Sequence, residues 1–203
     1  MLSWASFVSG DIPKEFIDLE EIHGLQVDLR YASENNFTGE NLYGHFRKAF
    51  LHEVAFQKLK KASQFLQKKN PEFSFLILDA LRPRSVQRVL FSKVKGTPQE
   101  SYVADPDKGS VHNYGFAVDL TLADKQGNEV DMGTPFDDFT DLAQPRYEKK
   151  FLQEKRLTAR RLENRKILRA AMEFGGFKPI MNEWWHFNAL DIAEIKQNYT
   201  VIE

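Results

Sequence analysis

The chain has 203 residues and carries 28 Lys and Arg against 29 Asp and Glu, so its formal net charge is −1. This balance gives no general electrostatic attraction to nucleic acid or to an anionic membrane. The sequence has no cysteine, which excludes disulfides, thiolate nucleophiles and metal sites built on cysteine. Its composition is that of a globular protein with one sizeable core, and we expect residues 1–203 to form a single domain.

The sequence also bears on location. No apolar run approaches the roughly 18 residues that cross a bilayer, and the longest one lies at 73–78. The N-terminal stretch, 1–16, has neither a basic region nor a long apolar segment, so no signal peptide is visible. We therefore expect a cytoplasmic protein with no membrane partner. A periplasmic location stays open if the sequence is that of a processed form.

The first half of the chain predicts strands, helices and one long loop. Partial alternation of apolar residues predicts a strand or hairpin arm at 22–31. Near-helical spacing predicts an amphipathic helix at 48–69, which an Asn-Pro pair ends. The apolar run at 73–78 lies between two prolines and favours a buried strand. A second helix is predicted at 84–94, and the Gly- and Pro-containing stretch at 96–113 is predicted to be a loop.

The second half predicts mainly strands. The segment FAVDLTL at 116–122 is predicted to be a strand, and a turn then leads to a short hairpin partner at 129–132. Residues 132–145 are irregular, and a helix is predicted at 156–174, where a Gly-Gly pair stops it. Two short strands are predicted to follow: 177–180 and 184–188. This order predicts an α+β fold with a mostly antiparallel sheet and packed helices.

Two segments concentrate metal-binding side chains: SVHNYGFAVD at 110–119 and EWWH at 183–186. They supply two imidazoles and two carboxylates, and a set of two histidines and one carboxylate suits Zn²⁺ where cysteine is absent. His112 and Asp119 are seven residues apart, so an ideal strand would direct them to opposite faces. We expect Gly115 to interrupt the strand, with His112 on a loop and Asp119 on the strand that follows.

Each of these residues also has a purely structural explanation. An isolated histidine is more often a surface or hydrogen-bonded residue than a ligand, and the remaining histidines are interpreted in that way: His23, His45 and His52. A purely structural role is harder to assign to Asp119, because burying a carboxylate inside an apolar strand costs free energy unless it is paired, hydrogen-bonded or metal-bound. Glu183 and His186 are three residues apart, so a local bend is needed if both face one metal.

The pattern S-x-H-x-x-G-x-A-x-D, followed downstream by E-x-W-H, resembles the zinc D-alanyl-D-alanine peptidases, which share their fold with the Hedgehog signalling domain. Further segments occur in the same order as in the D-alanyl-D-alanine dipeptidase family. They are YA and NFTG within 31–39, DALRP at 79–83, and DMG and FD within 131–137. The resemblance extends from about residue 20 to about residue 190, which is most of the chain.

The resemblance implies a catalytic role for five residues. His112, Asp119 and His186 match the ligands of one Zn²⁺ per chain. Glu183 matches the general base that takes a proton from zinc-bound water and returns it to the leaving amine. Arg82 matches the arginine that stabilises the oxyanion of the tetrahedral intermediate.

The resemblance also implies a substrate, since the family cleaves D-Ala-D-Ala into two D-alanines. The partner is then a small dipeptide. Ser110 and Asp137 match positions near its free ammonium group, and Tyr31 joins them. Leu81 stands where an aromatic residue is common in the family, which predicts an altered pocket wall.

Two alternatives remain at this stage. A zinc D,D-carboxypeptidase or endolysin-type peptidase would use the same fold and metal on peptidoglycan stem peptides, and the context of Asp137 weighs against it. A non-catalytic, zinc-stabilised binding domain would need neither a base nor an oxyanion donor, so Glu183 and Arg82 weigh against it. Trp184 and Trp185 are interpreted as one core residue and one residue of the site wall, with no nucleic-acid partner.

Overall fold

The computed structural model describes residues 12–203. The prediction about a signal peptide falls on residues 1–16, of which the first eleven lie outside the described residues. Among the helices of residues 12–203, none is long and apolar enough to span a membrane.

Within the described residues the chain forms strands of two to seven residues. In chain order they are β1 (Phe16–Asp18), β2 (Gln26–Val27), β3 (Phe50–His52), β4 (Ser74–Asp79), β5 (Ala117–Ala123), β6 (Lys178–Pro179) and β7 (His186–Asn188). Five of them form a sheet in the order β2-β4-β5-β7-β6, in which only the β2–β4 pair is parallel. The other two form an antiparallel pair, β1–β3.

The helices of the described residues are α1 (Glu53–Lys69), α2 (Arg84–Val94), α3 (Glu148–Gln153), α4 (Ala159–Gly175) and α5 (Ile192–Asn198). The two longest, α1 and α4, pack against each other. Gly175 lies at their crossing, where a Cβ atom would stand 2.6 Å from the carbonyl oxygen of Lys58 and 2.7 Å from Ala62 Cβ. Only glycine allows this approach without displacement. The α+β class with a mostly antiparallel sheet is thus confirmed.

Several element boundaries differ from the sequence predictions. Residues 50–52 of the predicted first helix form β3 instead, because they pair with β1, which lies more than thirty residues earlier. The helix begins after His52, whose Nδ1 accepts a hydrogen bond from the Val54 N–H. The predicted strand at 22–31 is reduced to β2 and a short 3₁₀ turn, and the hairpin partner at 129–132 is reduced to one bridge at Glu129.

The sheet brings chemically active side chains to one place. Asp119 on β5 is the register partner of Asp79 on β4 and of His186 on β7. Residues that pair directly across strands share a face of the sheet, so these three side chains are neighbours. Every residue of β5 is buried, which places this group inside the protein.

Candidate active site

The segment that carries His112 folds as the glycine spacing predicts. Ser110 caps a short 3₁₀ helix (Val111–Tyr114), and its hydroxyl accepts a hydrogen bond from the His112 N–H. Gly115 ends the helix with a φ of 70°, a conformation that side chains other than glycine rarely adopt. A Cβ on Gly115 would also lie 2.5 Å from the ring of Phe16. His112 therefore lies before the strand and Asp119 within it.

His112, Asp119 and His186 converge, and one ligand atom from each lies within 4.8 Å of the others. Asp119 Oδ1 is 2.9 Å from His186 Nδ1, and its Oδ2 is 3.3 Å from His112 Nε2. The two facing imidazole nitrogens are 3.2 Å apart. Burial would raise the pKa of Asp119, but the charges and hydrogen bonds of His112 and His186 outweigh it and hold that pKa well below its usual range.

The outer nitrogens of both imidazoles meet hydrogen-bond acceptors. His112 Nδ1 is 2.7 Å from the Ala80 carbonyl oxygen, and His186 Nε2 is 2.9 Å from Asn188 Oδ1. If these two nitrogens carry the N–H, the nitrogens that face each other, His112 Nε2 and His186 Nδ1, each keep a lone pair beside the Asp119 carboxylate. Three electron-pair donors at this spacing fit a divalent cation such as Zn²⁺. Ala80 and Asn188 were not predicted, because nothing in their local sequence reveals contacts across the sheet.

Glu183 lies next to this group in the turn before β7, with Oε2 4.0 Å from His186 Nδ1. Burial, reinforced by the charges of Asp119 and Asp137, raises the pKa of Glu183 to about 8, although His186 and Arg82 oppose the shift. A carboxyl group with a pKa near neutrality can both accept and return a proton. The bend between Glu183 and His186 that the spacing required is present.

Arg82 is buried and its guanidinium is fixed on two sides. Nε and Nη2 lie 2.7 and 2.6 Å from Asp79 Oδ2, and Nη1 donates to Gln87 Oε1 at 2.9 Å. Nη2 also reaches within 3.4 Å of Asp119 Oδ2, which points the group toward the histidines. Burial would lower the pKa of Arg82, but Asp79 and the neighbouring tyrosines raise it well above its ordinary value. The supports Asp79 and Gln87 were not predicted.

Asp137 is a further carboxyl group of the site, and two hydrogen bonds hold it in place. Its Oδ1 accepts a hydrogen bond from the Tyr31 hydroxyl at 3.1 Å, and its Oδ2 accepts one from the Phe37 N–H at 3.4 Å. Burial, with a contribution from Asp119, raises the pKa of Asp137 to about 7, while Arg82 and these hydrogen bonds oppose the shift.

One cavity of about 320 Å³ connects these groups. All eight predicted site residues line it: Tyr31, Arg82, Ser110, His112, Asp119, Asp137, Glu183 and His186. Trp185 lines it as well, while Trp184 is buried elsewhere in the core, as interpreted from the sequence. The expectation for Leu81 is wrong, because its side chain packs with Phe16 and Phe50 away from the cavity lining.

The raised pKa of Asp137 predicts a pH-dependent gain in stability for Asp137→Asn. The folded pKa of about 7 lies above that of an unfolded aspartate, about 3.9, so wild-type stability falls as pH rises between these values. The variant lacks this penalty. We expect the metal-free variant to be more stable than wild type by about 1–3 kcal/mol at pH 8, with the gap closing near pH 4. Urea unfolding of both proteins at pH 4 and pH 8 measures this difference in the free energy of unfolding. A variant less stable than wild type at pH 8 would contradict the raised pKa of Asp137.

Two histidines and one aspartate that could hold a metal ion share a cavity with a carboxyl group of raised pKa and a fixed guanidinium, and this arrangement fits a metal-dependent hydrolase. Comparison with known proteins gives the family. The sequence profile of the Peptidase M15 family, described as D-ala-D-ala dipeptidase, matches residues 13–202. The chain belongs to this family, so the predicted resemblance and the prediction of a peptidase are confirmed.

Several curated relatives carry the name D-alanyl-D-alanine dipeptidase. One from Escherichia coli (strain K12) is 36% identical over 85% of this chain and 83% of its own length. One from Enterococcus faecium is 31% identical over 85% of this chain and 89% of its own length. A solved structure of the LdcB LD-carboxypeptidase aligns with 93% of this chain and 76% of its own, at 16% identity and a TM-score of 0.41, which is too distant to support an argument.

Proposed function

We propose that this protein is a zinc D,D-dipeptidase, a single domain over residues 1–203, which hydrolyses D-alanyl-D-alanine or a close D,D-dipeptide to free D-amino acids. The observation that carries the proposal is the meeting of the metal-ligand group, Glu183, Arg82 and Asp137 in one cavity. The relatives named D-alanyl-D-alanine dipeptidase support the choice of substrate.

His112, Asp119 and His186 would hold one Zn²⁺. The ion would supply Lewis acidity, which makes hydroxide available near neutral pH and polarises the scissile carbonyl. The Ala80 carbonyl and the Asn188 side chain keep the two imidazoles in the ligating tautomer. With His112, Asp119 and His186 as the proposed ligands, Glu183 stays available for proton transfer.

Glu183 moves the proton. As a carboxylate it accepts a proton from the attacking water through Oε2, and as a carboxylic acid it gives that proton to the nitrogen of the leaving D-alanine. A cation held beside Glu183 would oppose the effect of burial on its pKa, which favours the carboxylate that the first half of the exchange needs. Arg82, held by Asp79 and Gln87, presents an N–H to the oxygen on which negative charge develops.

Asp137 binds the ammonium end of the dipeptide. Its carboxylate accepts hydrogen bonds from the Tyr31 hydroxyl and the Phe37 N–H, which fix both of its oxygens. The ammonium of the substrate supplies the positive charge that this half-buried carboxylate lacks, which favours its ionised form. Ser110 lines the cavity next to His112 and offers a hydroxyl to the same substrate. An acylated peptide would leave Asp137 unpaired and is rejected.

The experiment that tests the proposal is release of free D-alanine from D-Ala-D-Ala by the zinc-loaded protein. We expect steady release that stops when the metal is chelated and returns when Zn²⁺ is restored. An N-acetylated tripeptide that ends in D-Ala-D-Ala is the matched second substrate. Faster cleavage of the tripeptide would favour a D,D-carboxypeptidase or endolysin-type activity, and bound zinc with no cleavage of either would favour a binding domain.

A further inference from the structure

The loop that carries Asp137 is fixed from outside the cavity by a buried arginine of α4. Arg165 is only 1% exposed, although it bears a charge. Its Nε donates to the carbonyl oxygen of Met132 at 2.7 Å, and its Nη2 donates to that of Leu142 at 3.0 Å. Asp137 stands midway between these two residues, five positions from each. One guanidinium thus ties together both ends of the loop 132–142.

Further contacts join the start of this loop to α4. Asn164 Nδ2 donates to the Asp131 carbonyl oxygen at 2.9 Å, and Arg161 Nε lies 2.9 Å from Asp131 Oδ2. Gly133 lets the loop approach closely, because a Cβ there would stand 2.8 Å from the side chain of Leu157. The base of the loop is therefore seated on the helix.

The tip of the loop rests on aromatic walls of the cavity. Phe136 meets the ring of Trp185 at 5.5 Å, and Phe139 meets the ring of Phe37 at 5.0 Å. Asp137, between them, has a φ of 60°, a strained value for a residue with a side chain. Such a conformation persists only where its surroundings hold it, and here the arginine fixes the base while the aromatic rings fix the tip.

Resting on the proposed function, we propose that Arg165 is a positioning residue for substrate recognition, which acts through Asp137 on the ammonium end of the dipeptide. Arg165 does not line the cavity, so it touches neither substrate nor the reacting atoms. A planar guanidinium has several N–H donors at fixed spacing, so it can bind two carbonyl oxygens at once, which the single ammonium of a lysine cannot do. Its loss would let the loop spread and would move the carboxylate away from the ammonium.

The test is a double-mutant cycle in the zinc-loaded protein with D-Ala-D-Ala as substrate. In the wild type, Arg165 Nη1 lies 3.7 Å from Glu148 Oε1. Arg165→Lys keeps a buried positive charge beside Glu148, but its single ammonium can hold only one of the two carbonyls. We expect it to raise KM at least fivefold with kcat within about twofold of wild type, because the ammonium contact stabilises ground state and transition state alike. Arg165→Met, which holds neither carbonyl, is expected to raise KM further.

The second half of the cycle repeats Arg165→Lys in the Asp137→Asn background. If the arginine acts through Asp137, the added change in KM there is less than twofold. Leu168→Ala is the matched control, since Leu168 is a fully buried residue of the same helix whose apolar side chain cannot donate to the loop carbonyls. We expect this control to lower the melting temperature and to leave KM within twofold of wild type.

The outcomes separate the two proposals. Wild-type protein that releases no D-alanine contradicts the proposed function, whatever the variants do. Active wild type with unchanged KM in both Arg165 variants overturns the positioning role, as does an equal rise in KM with and without Asp137→Asn. A KM rise in Leu168→Ala equal to that of Arg165→Lys would show that general loosening of α4 is sufficient, and it also overturns the proposal.

Discussion

Glu183→Ala is expected to lower kcat for D-Ala-D-Ala by about 10²–10⁴-fold while the protein keeps its metal ion, the range that general acid–base groups contribute. The side chain lies 4.0 Å from His186 Nδ1, beside the three proposed metal ligands and outside that group. Its removal takes away the proton carrier and leaves the three donors in place. Steady-state release of D-alanine and the zinc content after gel filtration measure the two parts of this prediction.

Two further variants serve as comparisons for Glu183→Ala. His112→Ala removes one of the three donors, so it is expected to lose zinc as well as activity. Glu163→Ala, an exposed acidic residue of α4, is expected to change neither. Near-normal kcat in Glu183→Ala would show that the proton moves by another route, and unchanged zinc content in His112→Ala would remove that residue from the ligand group.

Local spacing in the sequence predicted the backbone geometry that separates His112 from Asp119. A seven-residue interval between His112 and Asp119 is odd for a strand, and Gly115 resolves it with a positive φ. The family resemblance of the segment at 183–186 pointed to Glu183 and His186, which the fold places in the same cavity. Local sequence carries such information because turn residues and spacing determine the direction of each side chain.

The supports of the site could not be predicted in this way. Asp79 ends an apolar strand, which marks it as unusual, but its bonds to Arg82 depend on the turn after β4. Gln87 and Asn188 have no local signal, since an amide side chain on a helix or strand is ordinarily exposed. Their importance comes from partners that the fold brings together: the guanidinium for Gln87 and an imidazole for Asn188.

The same limit applies to the fold. Residues 50–52 continue the helical spacing of α1 in the sequence, yet they pair with β1, because tertiary pairing outweighs a short helical pattern. The short helices α3 and α5 were missed for a related reason. Helices of six and seven residues are marginal alone and depend on packing, which their sequences do not reveal.

Arg82→Lys is expected to lower kcat about 10²-fold, with KM within about threefold of wild type, because the group acts on charge that develops in the transition state. The guanidinium contacts Asp79 and Gln87 at once and still presents Nη2 toward the site. A lysine ammonium on a flexible chain cannot contact Asp79, contact Gln87 and point into the site at the same time. Lysine is chosen because an uncharged residue would leave the fully buried Asp79 without its cationic partner, and loss of one member of a buried ion pair typically costs about 3–5 kcal/mol.

Arg84→Lys is the matched control, since Arg84 begins α2 two residues later and pairs with Glu203 at the surface. We expect its kcat and KM to stay within about twofold of wild type. Melting temperatures of both variants separate a catalytic loss from unfolding. If Arg82→Lys kept the kcat of the control, the guanidinium would serve only to neutralise Asp79, and stabilisation of the oxyanion would have to come from the metal alone. A loss in kcat at unchanged KM and melting temperature would assign stabilisation of the oxyanion to Arg82, since ground-state binding and folding would both be intact.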